Sequence, residues 1–160
     1  MRQFMLKTIS LPKSENDLPI TALVVNSKTS EILLSSSDTR ISTRHPLNHA
    51  IINLLNQLPF VELTPTTAPS ESDEEQYYAN MYDVYITHEP CAMCCMALIH
   101  SRVRRLVFWK GMDTGARELG WMKGDEEEGG LNHRYLSFQG IEGGLGEGIG
   151  VEELDRIVCA

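Results

Sequence analysis

Three side chains suited to binding a soft metal ion fall in two short stretches of the chain. His49 lies in "RHPLNHAIINLL", residues 44–55, and Cys91 and Cys94 lie in "HEPCAMCC", residues 88–95. Pro90-Cys91-Ala92-Met93-Cys94 is a C-x-x-C pair placed where a strand is predicted to turn into a helix. Thiols in the first turn of a helix sit near the positive end of its dipole, which lowers their pKa and favours the thiolate that binds metal. Alone, such a pair also suits redox chemistry or two small buried residues. With His49 it supplies a His/Cys/Cys set for one Zn2+ per chain. Three protein ligands leave a fourth tetrahedral position, which in a hydrolytic site is water.

Hydrolysis at a His/Cys/Cys zinc site needs a carboxylate two residues after the histidine. It carries protons between the water, the base and the leaving group, and it is not itself a ligand. Here that position is Ile51, which has no proton to exchange, so no catalytic residue is assigned. Glu89 stands beside the motif, but its place before Pro90 does not make it a replacement shuttle. His45 is four residues before His49, yet Pro46 pushes it out of helical geometry. Cys95 points a third of a turn away from Cys94 and reads as a small core residue. Since nothing here uses the water, the fourth position is free to be closed. The chain ends "RIVCA", and the Cys159 thiolate, the Ala160 carboxylate or a retained water are the alternatives.

The elements that position these groups are legible in outline. Residues 20–25 and 31–35 are β-prone runs joined by a short loop, a predicted hairpin. From Pro46, apolar residues recur at spacings of three and four to Leu58, predicting a helix with one buried face that Pro59 ends. Residues 62–80 are rich in Thr, Pro, Ser and Glu and read as a flexible acidic loop. Residues 84–87 predict a central strand, 91–100 a second helix and 104–109 a buried strand, which is a βαβ crossover with two parallel strands. Residues 134–140, "RYLSFQG", predict one more short strand. Residues 143–160 read as a glycine-rich tether and a C-terminal helix and tail. The expectation is a single α/β domain over 1–160, a mixed sheet flanked by helices.

The net charge is −8 and the hydrophobic fraction 42% over 160 residues, enough for a core but unsuited to a nucleic-acid platform of this chain alone. No Lys or Arg lies between Arg44 and Arg102, while Arg102, Arg104 and Arg105 cluster. They read either as surface charge at a helix end or as a contact with RNA phosphates. No run of eighteen apolar residues occurs, so no membrane span is expected. The N-terminus does not read as a secretory signal. Crowded cysteines suit a reducing, intracellular compartment.

The order of hairpin, His-bearing helix, strand and P-C-x-x-C helix start is the three-layer cytidine-deaminase-like layout. "HPLNHAI", "THEPCAMCCMALIHSRVRRLVFW" and "GGLNHRYLSFQG" resemble the non-catalytic subunit of the eukaryotic tRNA-specific adenosine deaminase over about residues 45–140. The P-C-x-x-C core is common to deaminases of this fold; the H-P-L-x-H-A-aliphatic and L-N-H-R-Y segments are the more specific marks. The resemblance implies an aliphatic residue at position 51, a zinc-stabilised pseudo-deaminase, and a heterodimer with a catalytic subunit that converts the wobble adenosine of tRNA to inosine. It implies tRNA as a partner through that complex and a nuclear or cytoplasmic location. It also implies an N-terminal RNA-binding domain that these residues do not contain. The isolated chain is expected to self-associate through the surface meant for its partner. Two other readings are an active nucleoside or base deaminase with an unconventional acid, and a zinc-stabilised interaction module unrelated to RNA.

Overall fold

The computed structural model describes residues 1–62, 79–116, 133 and 135–139. The apolar run Thr21–Asn26 (β1) pairs antiparallel with Ile32–Ser37 (β2), the expected hairpin, with a register shift between Val24 and Val25. On its other edge β1 pairs antiparallel with Tyr82–His88 (β3), every residue of which is buried. Arg105–Lys110 (β4) runs parallel to β3, and Leu136–Gln139 (β5) runs parallel to β4. The sheet order is β2-β1-β3-β4-β5, so the nearly all-apolar run predicted to be central stands in the middle.

Side chains alternate across a strand, and the two faces are covered by different helices. Val24, Val84, Ile86, Leu106 and Phe108 pack under Ala50–Glu62 (α2) and Ala92–His100 (α3). Leu23, Val25, Tyr85 and Val107 pack under Arg2–Ile9 (α1), chiefly through Met5 and Phe4. This gives the expected three layers. Helix α1 was not anticipated from sequence.

The two ends of α2 differ from the sequence expectation by more than a residue or two. Helix α2 starts at Ala50, not Pro46, because the Asn48 carbonyl is already taken. It accepts from the Thr39 N–H at 3.0 Å and from the Asn53 side chain at 3.1 Å, closing the 39–48 loop instead of opening a helix. Arg44 in that loop has a φ of +52°, the left-handed region that breaks a helical run. At the far end, α2 continues through Pro59 to Glu62. Proline's fixed φ is itself helical, so the turn survives at the loss of one hydrogen bond. Of the acidic loop expected at 62–80 only residues 62, 79 and 80 are described. The tether and tail at 143–160 lie outside the described residues.

Candidate metal centre

His49 and Cys91 occupy equivalent places at the starts of the two helices. The His49 carbonyl accepts the first helical hydrogen bond of α2, from Asn53 N–H at 2.9 Å. Cys91 is the N-cap of α3, with extended backbone, and its carbonyl accepts from Cys95 N–H at 3.0 Å. Two helix N-termini therefore point at one spot, and Cys94 reaches it from the first turn of α3. His49 Nδ1 lies 3.8 Å from Cys91 Sγ and 3.6 Å from Cys94 Sγ. All three donor atoms lie within 4.8 Å of one another. A tetrahedral zinc with Zn–N of about 2.0 Å and Zn–S of about 2.3 Å has an N···S edge of about 3.5 Å. The set needs almost no rearrangement to hold zinc.

The thiols carry the electrostatics of a site that ionises readily once. The Cys94 thiol donates to Cys91 and holds its pKa well below the ordinary thiol value, against burial and with help from His49. Cys94 is pushed up, first by Cys91 and then by burial. Cys95 is buried, donates weakly to the Pro90 carbonyl, and burial raises its pKa to about 11. It stands outside the donor set, as a core residue should. His45 is exposed and likewise outside it.

A recess of about 20 Å³ lies against the donors, walled by Ile20, Ile51, Ile86, His88 and the Asp38–Arg40 pair among others. Ile51 is fully buried in that wall. Space of this size holds about one water, whereas ligand pockets run from about 300 Å³ upward. Buried Asp38 accepts from Arg40 Nε at 3.0 and 3.1 Å. Glu89 also lines the recess; its carboxylate accepts from the Met112 N–H at 3.1 Å, and its own N–H donates to the Lys110 carbonyl at 2.8 Å.

The arginine cluster sits elsewhere. Asp83 is the second residue of β3 and is 3% exposed. It takes two bonds from Arg105, one at 2.8 Å, and one from Arg104 at 3.4 Å. The parallel register sets Asp83 against Arg105 and His88 against Lys110. Arg105 therefore stands roughly 17 Å along the strands from the end at which His88 borders the recess. From the L-N-H-R-Y segment, His133 Nε2 donates to the Val103 carbonyl at 2.9 Å and Tyr135 is buried in the helix-side core. Cys159 and Ala160 lie outside the described residues. Sequence reasoning missed His88 and the Asp38–Arg40 pair as walls of the recess. For His88 the signal was present, since it follows Val84 and Ile86 at strand period on the helix-covered face.

A layered fold that brings a histidine and the two thiols of P-C-x-x-C together at paired helix starts defines the architecture of the zinc nucleobase deaminases. The chain belongs to the cytidine and deoxycytidylate deaminase family, whose zinc-binding-region model matches residues 2–110. It is 34% identical over 125 residues to the tRNA-specific adenosine deaminase subunit tad3 of Schizosaccharomyces pombe, covering 78% of this chain and 39% of that protein. It is 28% identical over 160 residues to a probable inactive tRNA-specific adenosine deaminase-like protein 3 of Danio rerio, covering 88% of this chain and 47% of that protein. The chain thus spans about half or less of the length of these relatives. In fold it matches a structure solved in a study of A-to-I editing by tRNA:A34 deaminases, with a TM-score of 0.65 at 19% identity, covering 87% of this chain and 98% of that one.

Proposed function

We propose that this chain is the deaminase-fold domain of a non-catalytic subunit of a tRNA-specific adenosine deaminase. It holds one zinc ion through His49, Cys91 and Cys94 and scaffolds a catalytic subunit that converts the wobble adenosine to inosine. The observation that carries this reading is Ile51. It stands two residues after the histidine, fully buried in the wall of the recess, where the reaction needs a carboxylate. General acid–base catalysis contributes about 10² to 10⁴-fold in rate, and the hydrocarbon side chain of isoleucine contributes none of it. The neighbouring carboxylate of Glu89 is engaged by Met112 N–H, and the recess has no room for a purine. Zinc in a site of this kind activates water for attack on the base; without a shuttle its role here is to tie the start of α2 to the start of α3. The likeness to tad3 and to the probable inactive protein supports the same reading.

Within such a complex, Arg102, Arg104 and Arg105 are the proposed contact with tRNA phosphates, although Arg104 and Arg105 also serve Asp83. The test is co-expression with a catalytic adenosine deaminase subunit, followed by size analysis and an inosine assay on tRNA. The expected result is a stable complex that forms inosine and an isolated chain that deaminates neither tRNA nor free nucleosides. Turnover by a demonstrably partner-free sample overturns the reading.

A further inference from the structure

Arg44 stands in a backbone conformation that suits glycine. Residues 39–43 make one helical turn, closed by Thr43 N–H on the Thr39 carbonyl at 3.0 Å. The turn ends with Arg44 N–H on the Ile41 carbonyl and His45 N–H on the Arg40 carbonyl, both at 3.2 Å. That pair of bonds is a helix-ending pattern whose left-handed place is usually glycine, and Arg44 fills it at a φ of +52°. The same pattern ends α3. There Arg102 N–H meets the Ile99 carbonyl at 3.0 Å, Val103 N–H meets the Leu98 carbonyl at 3.1 Å, and Arg102 has a φ of +55°. Any side chain beyond glycine's raises the energy of the left-handed region. Strain of this kind gathers where a side chain is used, and Arg102 belongs to the cluster proposed above to meet RNA phosphates.

Among the described residues the fold makes no use of the Arg44 side chain. Residues 41–47 are all exposed, and its guanidinium has no hydrogen bond or ion pair among the described residues. The two carboxylates bonded to its loop are engaged with other groups, Asp38 with Arg40 and Asp17 with the Ser42 N–H at 2.8 Å. Residues 39–61 contain no Asp or Glu, in a chain whose net charge is −8. The loop leads directly into His49, and Arg40 and His49 both line the recess.

We propose that Arg44 contacts the phosphate backbone of an RNA on the side of the loop that feeds the metal centre. This rests on the reading of the chain as a subunit of a tRNA-editing complex. An arginine fork matches phosphate oxygens with two parallel bonds. On an acidic chain the arginines best able to do so stand clear of carboxylates, which repel the same phosphates. Arg44 meets that condition, whereas Arg104 and Arg105 both bond to Asp83. A carboxylate on the catalytic subunit is the competing partner, and the test separates the two.

The test uses the full chain in complex with a catalytic subunit, and a tRNA transcript with adenosine at the wobble position. Affinity for the tRNA is titrated over a range of salt concentrations, pairing is read by co-purification, and thermal melting is measured on the isolated chains. Arg44→Gly is expected to raise the tRNA Kd about 5- to 10-fold at about 0.1 M salt and to lower the salt slope by about one phosphate contact. Its Tm is expected not to fall, because glycine takes the left-handed place without strain. Arg44→Lys keeps the charge and is expected to keep most of the salt slope. Pairing with the catalytic subunit is expected to be unchanged in both variants. An unchanged Kd and slope in Arg44→Gly overturns the proposal. So does a loss of co-purification, which assigns Arg44 to the catalytic subunit's surface, and so does a lowered Tm, which makes the arginine part of the fold. A wild type that forms no complex, or a complex that binds no tRNA, overturns the proposed function itself, and that outcome is read before any variant is compared.

Discussion

Cys91, Cys94 and Cys95 are near neighbours in sequence with three different protonation environments. Cys91 is half-buried and its thiolate is favoured by the Cys94 thiol and by His49. Cys94 is buried and raised by its hydrogen bond to Cys91 and by burial, and Cys95 is buried and raised to about 11. Alkylation follows the thiolate fraction and access. In the metal-free chain at pH 7, iodoacetamide is therefore expected to modify Cys91 first and to spare Cys95, and added zinc to protect Cys91. Peptide mass mapping over time checks the order; early modification of Cys95 contradicts it. Ile51 gives a second prediction. It has no exposed surface, and glutamate there places a carboxylate among apolar side chains. Ile51→Glu is expected to lose about 1–3 kcal/mol of stability and still to form no measurable inosine, because the recess excludes the base. Denaturant unfolding and the inosine assay read the two effects; substantial activity from this one change sinks the argument.

The turn at residues 111–116 shows how elements, rather than single residues, hold the donor set in place. Glu89 accepts from Met112 N–H, and the Pro90 carbonyl accepts from Ala116 N–H at 3.1 Å. The turn thus clasps the two residues before Cys91. A Cβ on Gly115 would collide with the Glu89 carboxylate. Gly115→Ala is expected to cost about 1–3 kcal/mol, the range for overpacking, and to weaken zinc binding because Cys91 shifts with Glu89. Thermal melting with and without zinc measures both; unchanged values would mean that the turn gives way freely. At the other end of β3, Asp83→Ala leaves two arginines without their buried acceptor and is expected to cost about 1–3 kcal/mol in urea unfolding. The hairpin and the β3-α3-β4 crossover were legible because their apolar runs are long and bounded by turn residues. Helix α1 was not, since its eight residues bury only Met5 and Thr8 and carry no side-chain cap. The start of α2 was misplaced because Pro46 is a good first helical residue locally, while the Asn48 carbonyl is claimed by residues 39 and 53. The donor set was legible through motif spacing. His88 as a wall was missed although its strand period with Val84 and Ile86 placed it on the helix-covered face. The pairing of Arg104 and Arg105 with Asp83 depends on parallel register across more than twenty residues.

At the scale of the whole molecule, the three layers leave the α2 and α3 side with apolar surface that the core does not use. Phe60 on α2 is 73% exposed, Met96 on α3 is 54% and Leu47, in the turn before α2, is 51%. Both helices pack on the same face of the sheet, so these side chains belong to the side that carries the metal centre. No helix among the described residues is long and apolar enough to cross a membrane. Interfaces gather exposed apolar anchors within a polar surround, and the proposed catalytic subunit is the partner that the family likeness favours. Met96→Asp and Phe60→Asp are each expected to abolish co-purification with that subunit and with it inosine formation, because each sets a charge where water is excluded. Their melting temperatures as isolated chains are expected to match the wild type, since exposed side chains contribute little to the fold. The isolated wild type is expected to self-associate through the same side, and Met96→Asp to return it to a monomer. Size-exclusion chromatography with light scattering reads the isolated chains, and affinity co-purification reads the pair. A wild type that stays monomeric and never co-purifies with a catalytic subunit would remove the scaffold role, while retained pairing in both variants would move the interface to another face of the molecule.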